Sequence, residues 1–158
     1  MKKNKIQVYT DGACKGNPGI GGWGVLVLNT EKKYELKGCE LNTTNNRMEL
    51  IAVINGLKSI KKNTDIDLLT DSKYVKNGIN DWIFNWKKNG WRTASKKPVK
   101  NKDLWQELDQ LVQNYNINWK WVKGHSGNIG NERADELANE AIFEHQDNSN
   151  SLADQESH

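Results

Sequence analysis

The sequence has few of the residues that are typical of disulfide-rich proteins, of Cys/His metal-binding proteins or of membrane proteins. It has two cysteines and two prolines in 158 residues. Cys14 and Cys39 cannot build a disulfide framework, and no Cys/His spacing typical of a metal site is present, so we expect a reducing compartment. No run approaches the ~18 consecutive apolar residues that a membrane-spanning helix needs, which excludes that class.

A targeting signal is also missing from the N-terminus. Residues 1–5 are basic, but the apolar stretch that follows is very short and is interrupted by Gln7. This is not the apolar core of a signal peptide. We therefore expect the mature chain to begin here and to work in the cytoplasm.

One stretch of the chain lacks acidic residues altogether. Between Trp86 and Lys102 there are seven basic side chains and no Asp or Glu, although the whole chain carries a net charge of only +3. The acidic segment 144–158 lowers the net charge, because the chain without it carries +7. A basic run is often just a solvated surface. Here Trp82, Trp86 and Trp91 are interleaved with the charges, which favours a nucleic-acid partner.

The hydropathy pattern predicts one domain over residues 1–143. Strands are predicted at 5–11, 22–29, 32–40, 65–71 and 116–122, and helices from Thr44 to about 60, within 72–88, around 104–112 and from about 131. Three antiparallel strands followed by strand–helix alternation predict an α/β fold, with a five-stranded mixed sheet and helices on both faces. Residues 12–19 are rich in turn formers. Residues 144–158 are polar and aperiodic, and we expect a disordered tail.

Four carboxylates are predicted to meet at one edge of this sheet. Two of the strands end in Thr-Asp, which places Asp11 and Asp71 side by side at the edge where ligands bind in such sheets. Glu49 in an early turn of its helix and Asp135 near the start of the last helix are expected at the same edge. A cluster of oxygen ligands without basic partners favours Mg²⁺ or Mn²⁺ over zinc.

Each of these residues also has an ordinary structural explanation. Asp-Gly at 11–12 is a common turn, Asp-Ser at 71–72 is a common helix cap, and Glu49 and Asp135 could simply face solvent. His125 lies in a glycine-flanked loop before the last helix. It could carry protons for the carboxylates or be a surface residue.

Several blocks of sequence, in their order and spacing, resemble bacterial type 1 ribonuclease H. They are YTDGACKGNPG at 9–19, TTNNRMEL at 43–50, TDSKYV at 70–75, VKGHSG at 122–127 and NERADELA at 131–138. The resemblance covers about residues 5–143. It implies a ribonuclease H-like fold and an endonuclease that hydrolyses the RNA strand of RNA–DNA hybrids without sequence preference. It further implies 5′-phosphate and 3′-hydroxyl products and a role in removing RNA primers and R-loops.

The same resemblance assigns roles to individual residues. Asp11, Glu49, Asp71 and Asp135 would bind two Mg²⁺ ions during catalysis, with Mn²⁺ as a substitute, and His125 would assist proton transfer or product departure. The resemblance also implies two sets of substrate-binding residues. One set would bind the minor groove of the hybrid, and the other belongs to a basic protrusion over residues 82–102, which we call the handle. The minor-groove group is Cys14, Asn17, Thr44, Asn45 and Asn46, and the handle group is Asn85, Trp86, Lys87, Lys88 and Trp91.

Other interpretations remain open for some of these residues. Cys14 could be a small buried thiol, and the asparagines could serve only turns and caps. In the handle we expect Trp82 to pack and Trp86 to contact substrate. Lys73 stands where the family often has Gln, and we favour a tolerated surface substitution there. The remaining tryptophans are expected in the core.

Rival functions are a different polynucleotidyl transferase on the same fold and a non-catalytic module that binds hybrids. A haloacid-dehalogenase-like phosphatase is rejected, because it needs an aspartate where this chain has Ala13. We expect a monomer, since no apolar stripe is left unexplained. A single-strand DNA-binding protein is a candidate partner.

Overall fold

The computed structural model describes residues 5–123 and 128–156, with side chains up to residue 146. Within these residues the strands are β1 (Ile6–Gly16), β2 (Gly19–Leu28), β3 (Lys33–Thr43), β4 (Asp65–Thr70) and β5 (Asn116–Trp121). The helices are α1 (Asn45–Lys58), α2 (Lys73–Asn77), α3 (Ile83–Lys88), α4 (Lys102–Val112) and α5 (Ile129–Glu156). A π-helical turn at Gly78–Trp82 joins α2 to α3.

The described strands form one sheet in the order β3-β2-β1-β4-β5. β2 pairs antiparallel with both β1 and β3, whereas β4 pairs parallel with β1 and with β5. Helix α1 packs on one face of the sheet, where Gly56 lies against Val8 and Val25. Helix α5 covers the other face, where Gly24 of β2 lies against the backbone of Ala134. The predicted mixed sheet with helices on both faces is confirmed.

Strand β1 is longer than predicted, and this moves Asp11 away from a strand end. The strand continues through Gly12 to Gly16, where Gly16 pairs with Gly19 across a tight turn. Turn-forming residues are compatible with this strand because they also suit a hairpin, and Gly16 adopts a φ of 86° that favours glycine. The expectation that Asp11 ends its strand is therefore wrong.

The pairing of β1 changes just before Asp11. Residues Ile6 to Tyr9 pair with Ile66 to Leu69 of β4, and beyond Tyr9 the strand continues only with β2. The two strands part at the point where Asp11 lies on β1 and Asp71 follows β4. The opening between parting strands, rather than a strand end, creates room for side chains at this edge.

Trp105 of α4 anchors the handle to the core. The side chain is fully buried, and its indole Nε1–H donates to the Tyr74 hydroxyl at 2.9 Å. Trp86 packs on Trp105 with 5.5 Å between ring centroids, and Trp82 and Trp91 flank Trp86. Trp105 is in the core as expected, while Trp23, Trp119 and Trp121 are half-buried against it. In the handle both Trp82 and Trp86 pack in the aromatic cluster, and Trp82, at 37% exposed, is the less buried of the two. The substrate contact of Trp86 stays a prediction.

Helix α5 extends into the acidic C-terminal segment, where the sequence pattern predicts no helix. Helix α5 continues without a break from Ile129 to Glu156. No glycine or proline follows Gly130, so nothing in the sequence terminates the helix. Among the described helices, none combines the length and apolarity needed to cross a membrane.

Gly78 gives a direct test of how the handle is anchored. Its Cα hydrogen faces the Trp105 ring, and an alanine Cβ at this position would overlap that ring. We expect Gly78→Ala to lower the free energy of unfolding by about 1–3 kcal/mol. Thermal denaturation of Gly78→Ala beside Asn77→Ala, an exposed position one residue earlier, measures the difference. Equal melting temperatures for the two variants would contradict the anchoring.

Candidate active site

Three carboxylates meet where β1 and β4 part. Asp11 comes from β1, Glu49 from the second turn of α1, and Asp71 from the residue after β4. One carboxylate oxygen from each lies within 4.8 Å of the other two. The local sequence explains this approach, because Gly12 lets the backbone of Glu49 come within 2.5 Å of where a Cβ would stand.

The pKa of Asp11 reflects the burial and crowding of this cluster. Burial, followed by the negative charge of Asp71, raises the pKa of Asp11 to about 7 from an ordinary value of 3.8. A hydrogen bond from the Glu49 carboxyl and one from the Gly12 backbone N–H, at 2.9 Å, act in the opposite direction. At neutral pH and without a cation, Asp11 is therefore partly protonated.

Glu49 is the most buried member of the cluster. Only 5% of the residue is exposed, and its Oε2 atom has no hydrogen-bond partner among the described residues. Burial and the charge of Asp11 raise the pKa of Glu49 well above its usual range. An unpartnered buried carboxylate oxygen is costly unless a ligand satisfies it. This observation favours a cation at the cluster.

Asp135 lies at the margin of the cluster. Its negative charge is the smallest of the contributions to the raised pKa of Asp11, and it is not among the three carboxylates whose oxygens lie within 4.8 Å of one another. Asn139 holds it from the next turn of α5, donating to the Asp135 backbone oxygen at 2.9 Å and to Oδ1 at 3.3 Å. His125 lies outside the described residues.

The chemistry of this donor set fits divalent cations with hard oxygen ligands. Three of the four predicted carboxylates converge, two of them with raised pKa values, and the neighbouring described groups supply no Lys or Arg ion pair to Asp11, Glu49 or Asp71. Carboxylate clusters of this kind bind Mg²⁺ or Mn²⁺ in preference to softer metals. The residues could hold such ions and place them beside a phosphate group.

The predicted minor-groove residues lie on the elements that flank the cluster. The Cys14 thiol is half-buried and donates to the Thr43 backbone oxygen at 3.4 Å, linking the end of β1 to the end of β3. Thr44 caps α1, and its side chain accepts from the Arg47 backbone N–H. Asn17 in the hairpin turn, and Asn45 and Asn46 in the first turn of α1, are exposed.

The handle residues divide into packed rings and exposed polar groups. Asn85, Lys87 and Lys88 are exposed, whereas Trp86 and Trp91 are half-buried in the aromatic cluster. The Lys87 ammonium lies 3.4 Å from Asp109 of α4. The handle therefore presents its lysines on a surface that the tryptophans hold against α4.

Sequence reasoning missed a polar clamp that joins α1 to α4. Arg47 binds Asp103 through both terminal nitrogens, at 3.1 and 2.9 Å, and also donates to the Asn101 side chain at 3.2 Å. Asn101 has a φ of 60° and donates to the Tyr74 hydroxyl at 3.0 Å. Arg47 lies two residues before Glu49, so the clamp fixes the start of the helix that carries this carboxylate. The pattern of the sequence does not indicate this pairing across 56 residues.

A second missed residue, Asn131, joins α5 to the sheet. Its side-chain amide donates to the Leu69 backbone oxygen near the end of β4 at 3.3 Å, and its Oδ1 is buried without a partner in the described part of the chain. This contact connects the helix of Asp135 to the strand that precedes Asp71.

A sheet of this order, with one buried and two half-buried carboxylates where β1 and β4 part, is typical of the ribonuclease H-like class of nucleic-acid hydrolases.

Comparison with known proteins narrows this class to one family. The family model for RNase H matches residues 3–143. A ribonuclease H of Francisella tularensis subsp. novicida is 63% identical over 143 residues, covering 90% of this chain and 94% of that protein. A ribonuclease H of Francisella philomiragia has the same identity and coverage. The chain belongs to the RNase H family, as the sequence blocks indicate.

Solved structures agree with this assignment. The crystal structure of LC9-RNase H1, a type 1 RNase H with the type 2 active-site motif, superposes with a TM-score of 0.81 at 33% identity. The match covers 90% of this chain and 74% of that one. RNase H1 from Halobacterium salinarum superposes with a TM-score of 0.64 at 26% identity, covering 89% and 98% of the two chains.

The raised pKa of Asp11 predicts an unusual pH dependence of stability in metal-free protein. The folded chain keeps a proton that the unfolded chain releases near pH 3.8, so the contribution of Asp11 to the free energy of unfolding declines as pH rises from there through about 7. We expect Asp11→Asn to stabilise the protein at pH 8 by on the order of 1–3 kcal/mol and to change little at pH 4.

Urea denaturation in EDTA at the two pH values measures this difference. Asp81→Asn is the matched control, because Asp81 is exposed in the π-helical turn. A gain in stability for Asp11→Asn that is equal at pH 4 and pH 8 would contradict the raised pKa.

Proposed function

We propose that the protein is an endonuclease that hydrolyses the RNA strand of RNA–DNA hybrids, without sequence preference, and leaves 5′-phosphate and 3′-hydroxyl ends. The observation that carries the proposal is the convergence of Asp11, Glu49 and Asp71 within 4.8 Å, with a buried and unpartnered oxygen on Glu49. Membership of the RNase H family supports the same activity. Removal of RNA primers and R-loops in the cytoplasm is the corresponding role.

The carboxylates would hold two divalent cations, with Mg²⁺ as the physiological ion and Mn²⁺ as a substitute. When bound, the pair supplies an activated water and stabilises charge on the leaving oxygen. Asp11 and Glu49 would give up their protons as the site fills, because the positive charge of bound cations would offset the burial and the carboxylate repulsion that raise their pKa values. Asp135 completes the set from α5.

A proton carrier is still required, because the departing 3′-oxygen must be protonated. His125, by its position in the family motif, would take this role or help the product leave. Glycines flank it at 124 and 127. Since the carboxylates supply the charge that organises the site, loss of His125 should reduce turnover less than loss of Asp71.

Recognition of the hybrid would be shared between two surfaces. Cys14, Asn17, Asn45 and Asn46 offer thiol and amide groups to the minor groove, where 2′-hydroxyls distinguish RNA from DNA. Thr44 would help to hold a phosphate of the DNA strand. The handle would bind the DNA backbone through Lys87 and Lys88, with Asn85, Trp86 and Trp91 beside them. Contacts to sugars and phosphates carry no base information, which fits cleavage without sequence preference.

Cleavage of an end-labelled RNA–DNA hybrid in Mg²⁺ tests the proposal directly. We expect cuts only in the RNA strand of the hybrid, none in double-stranded RNA or DNA, and none in EDTA. Asp71→Asn should reduce the rate by roughly 100-fold or more, because it removes a charged oxygen from the cluster. Asp81→Asn is the matched control and should cleave normally. Salt-sensitive binding without cleavage in either Mg²⁺ or Mn²⁺ would leave only a hybrid-binding module.

The handle can be tested through its lysines. Lys87→Gln with Lys88→Gln should weaken hybrid binding several-fold and lower the slope of log Kd against log salt by roughly 2, one for each lost phosphate contact. Turnover at saturating hybrid should change little, because these lysines do not reach the carboxylates. Lys61→Gln with Lys62→Gln, two exposed lysines between α1 and β4, is the control with the same change in charge. Equal salt slopes for the two double variants would contradict a handle contact.

A further inference from the structure

A cavity with a volume of about 500 Å³ lies beside the carboxylate cluster. Asp71 belongs to both the cluster and the lining of the cavity. The lining residues come from the ends of β4 and β5 and from α2. They are Thr70, Asp71, Ser72, Lys73, Lys76, Trp121, Val122 and Lys123. We call this cavity the lysine pocket.

The position of the lysine pocket follows from the sheet. Thr70 is the register partner of Trp121, so Asp71 and Val122 leave their parallel strands side by side. β4 lies between β1 and β5, which places the pocket on the side of Asp71 that is opposite to Asp11. A polynucleotide strand that crosses from the end of β1 toward the end of β5, with its reacting phosphate over the carboxylates, would reach this pocket next.

The charge of the lysine pocket is opposite to that of the cluster. It contains three lysines, Lys73, Lys76 and Lys123, and one carboxylate, Asp71. Lys73 and Lys76 are exposed, and no ion pair of either is found in the described part of the chain. Their ammonium groups keep the freedom to turn toward a ligand, and lysine binds phosphate as a mobile point charge.

The walls of the lysine pocket are firmer than its lysines. The Ser72 hydroxyl accepts from the Val75 backbone N–H at 3.2 Å, which fixes the first turn of α2 and still leaves the hydroxyl proton to donate. Trp121 stacks on Trp119 with 5.4 Å between ring centroids and 11° between planes. A fixed wall with mobile cations suits a polyanion of variable conformation, such as a nucleic-acid backbone.

We propose that the lysine pocket binds a phosphate of the RNA strand next to the scissile phosphate. The proposal rests on the proposed hybrid cleavage and adds a subsite that positions the strand over the cluster. It also assigns substrate binding to Lys73, which the sequence analysis interprets as a tolerated surface substitution. The handle is proposed to bind the DNA strand, and the pocket would give the RNA strand a cationic contact of its own.

Binding in EDTA tests the pocket without catalysis. The pocket variant carries Lys73→Gln, Lys76→Gln and Lys123→Gln. Its control carries Lys33→Gln, Lys61→Gln and Lys62→Gln, which remove the same charge. The control lysines are exposed and lie at or before the first residues of β3 and β4, at the other end of these strands from Asp71. By fluorescence anisotropy with a short hybrid, we expect Kd to rise about tenfold or more for the pocket variant, with the salt slope lower by roughly 2–3. The control should change Kd less than about threefold. Equal effects of the two triple variants would overturn the proposal.

A neutral linkage placed along the hybrid identifies the phosphate that the pocket binds. One methylphosphonate is moved stepwise along the RNA strand and, in a second series, along the DNA strand. At one RNA-strand position next to the cleavage site, the methylphosphonate should lower the affinity of the wild-type protein. The affinity of the pocket variant should not fall further there, because the neutral linkage and the lysine substitutions remove the same contact. Non-additivity that maps to the DNA strand alone would overturn the assignment to RNA.

The outcomes separate the pocket from the proposed function. If wild-type protein does not cleave hybrids in Mg²⁺ or Mn²⁺, the proposed function fails, and with it the assignment of a scissile phosphate. If wild-type protein cleaves and the pocket variant binds and cleaves as its control does, the pocket alone is refuted. Thermal denaturation of both triple variants shows that neither result comes from unfolding.

Discussion

The approach of three carboxylates to one point, where β1 and β4 part, is the constraint that the rest of the structure has to satisfy. Asp11 and Glu49 are held near each other and near Asp71 although burial and like charge both raise their pKa values. Such an arrangement persists only if the surrounding structure stabilises it. The packed sheet and its two covering helices provide that stability. A cation or a proton relieves the repulsion, so the cluster is poised to exchange one for the other.

The close packing of helices on the sheet explains how side chains from distant parts of the chain reach one point. Gly12 brings the backbone of α1 against β1, and Gly24 does the same for α5 on β2. Glu49 and Asp135 therefore approach Asp11 from opposite faces of the sheet. The Arg47 clamp and the Asn131 contact then fix the two helix starts relative to α4 and β4. Positions of the carboxylates are thus set by backbone contacts and ion pairs outside the cluster.

Much of this arrangement is visible in the sequence, and the exceptions have physical causes. Alternation and helical periodicity predict each element of the sheet and its helices, because burial of one face decides both patterns. The extension of β1 beyond Asp11 is not predicted, since residues that favour a turn also favour a hairpin. The continuation of α5 to Glu156 is not predicted either, because a polar helix without an apolar stripe has the composition of a tail. The Arg47–Asp103 pair joins residues far apart in sequence, and no local pattern reports it. The identities of the carboxylates, in contrast, follow from spacing and family resemblance.

The distribution of charge resolves an apparent conflict between an acidic site and a polyanionic substrate. Phosphates are repelled by Asp11, Glu49 and Asp71 unless cations bind there or basic groups lie close by. The chain carries a net charge of only +3, so it can attract a polyanion only where its basic residues are concentrated. The handle is one such concentration, with its lysines beside half-buried tryptophans. Lys73, Lys76 and Lys123 concentrate them immediately beyond Asp71. If both groups of lysines bind the hybrid as proposed, they would attract its backbone toward the carboxylates, and the phosphate above the cluster would depend on bound metal for its neutralisation. Binding and hydrolysis can then be controlled separately, the first by salt and the second by the divalent cation.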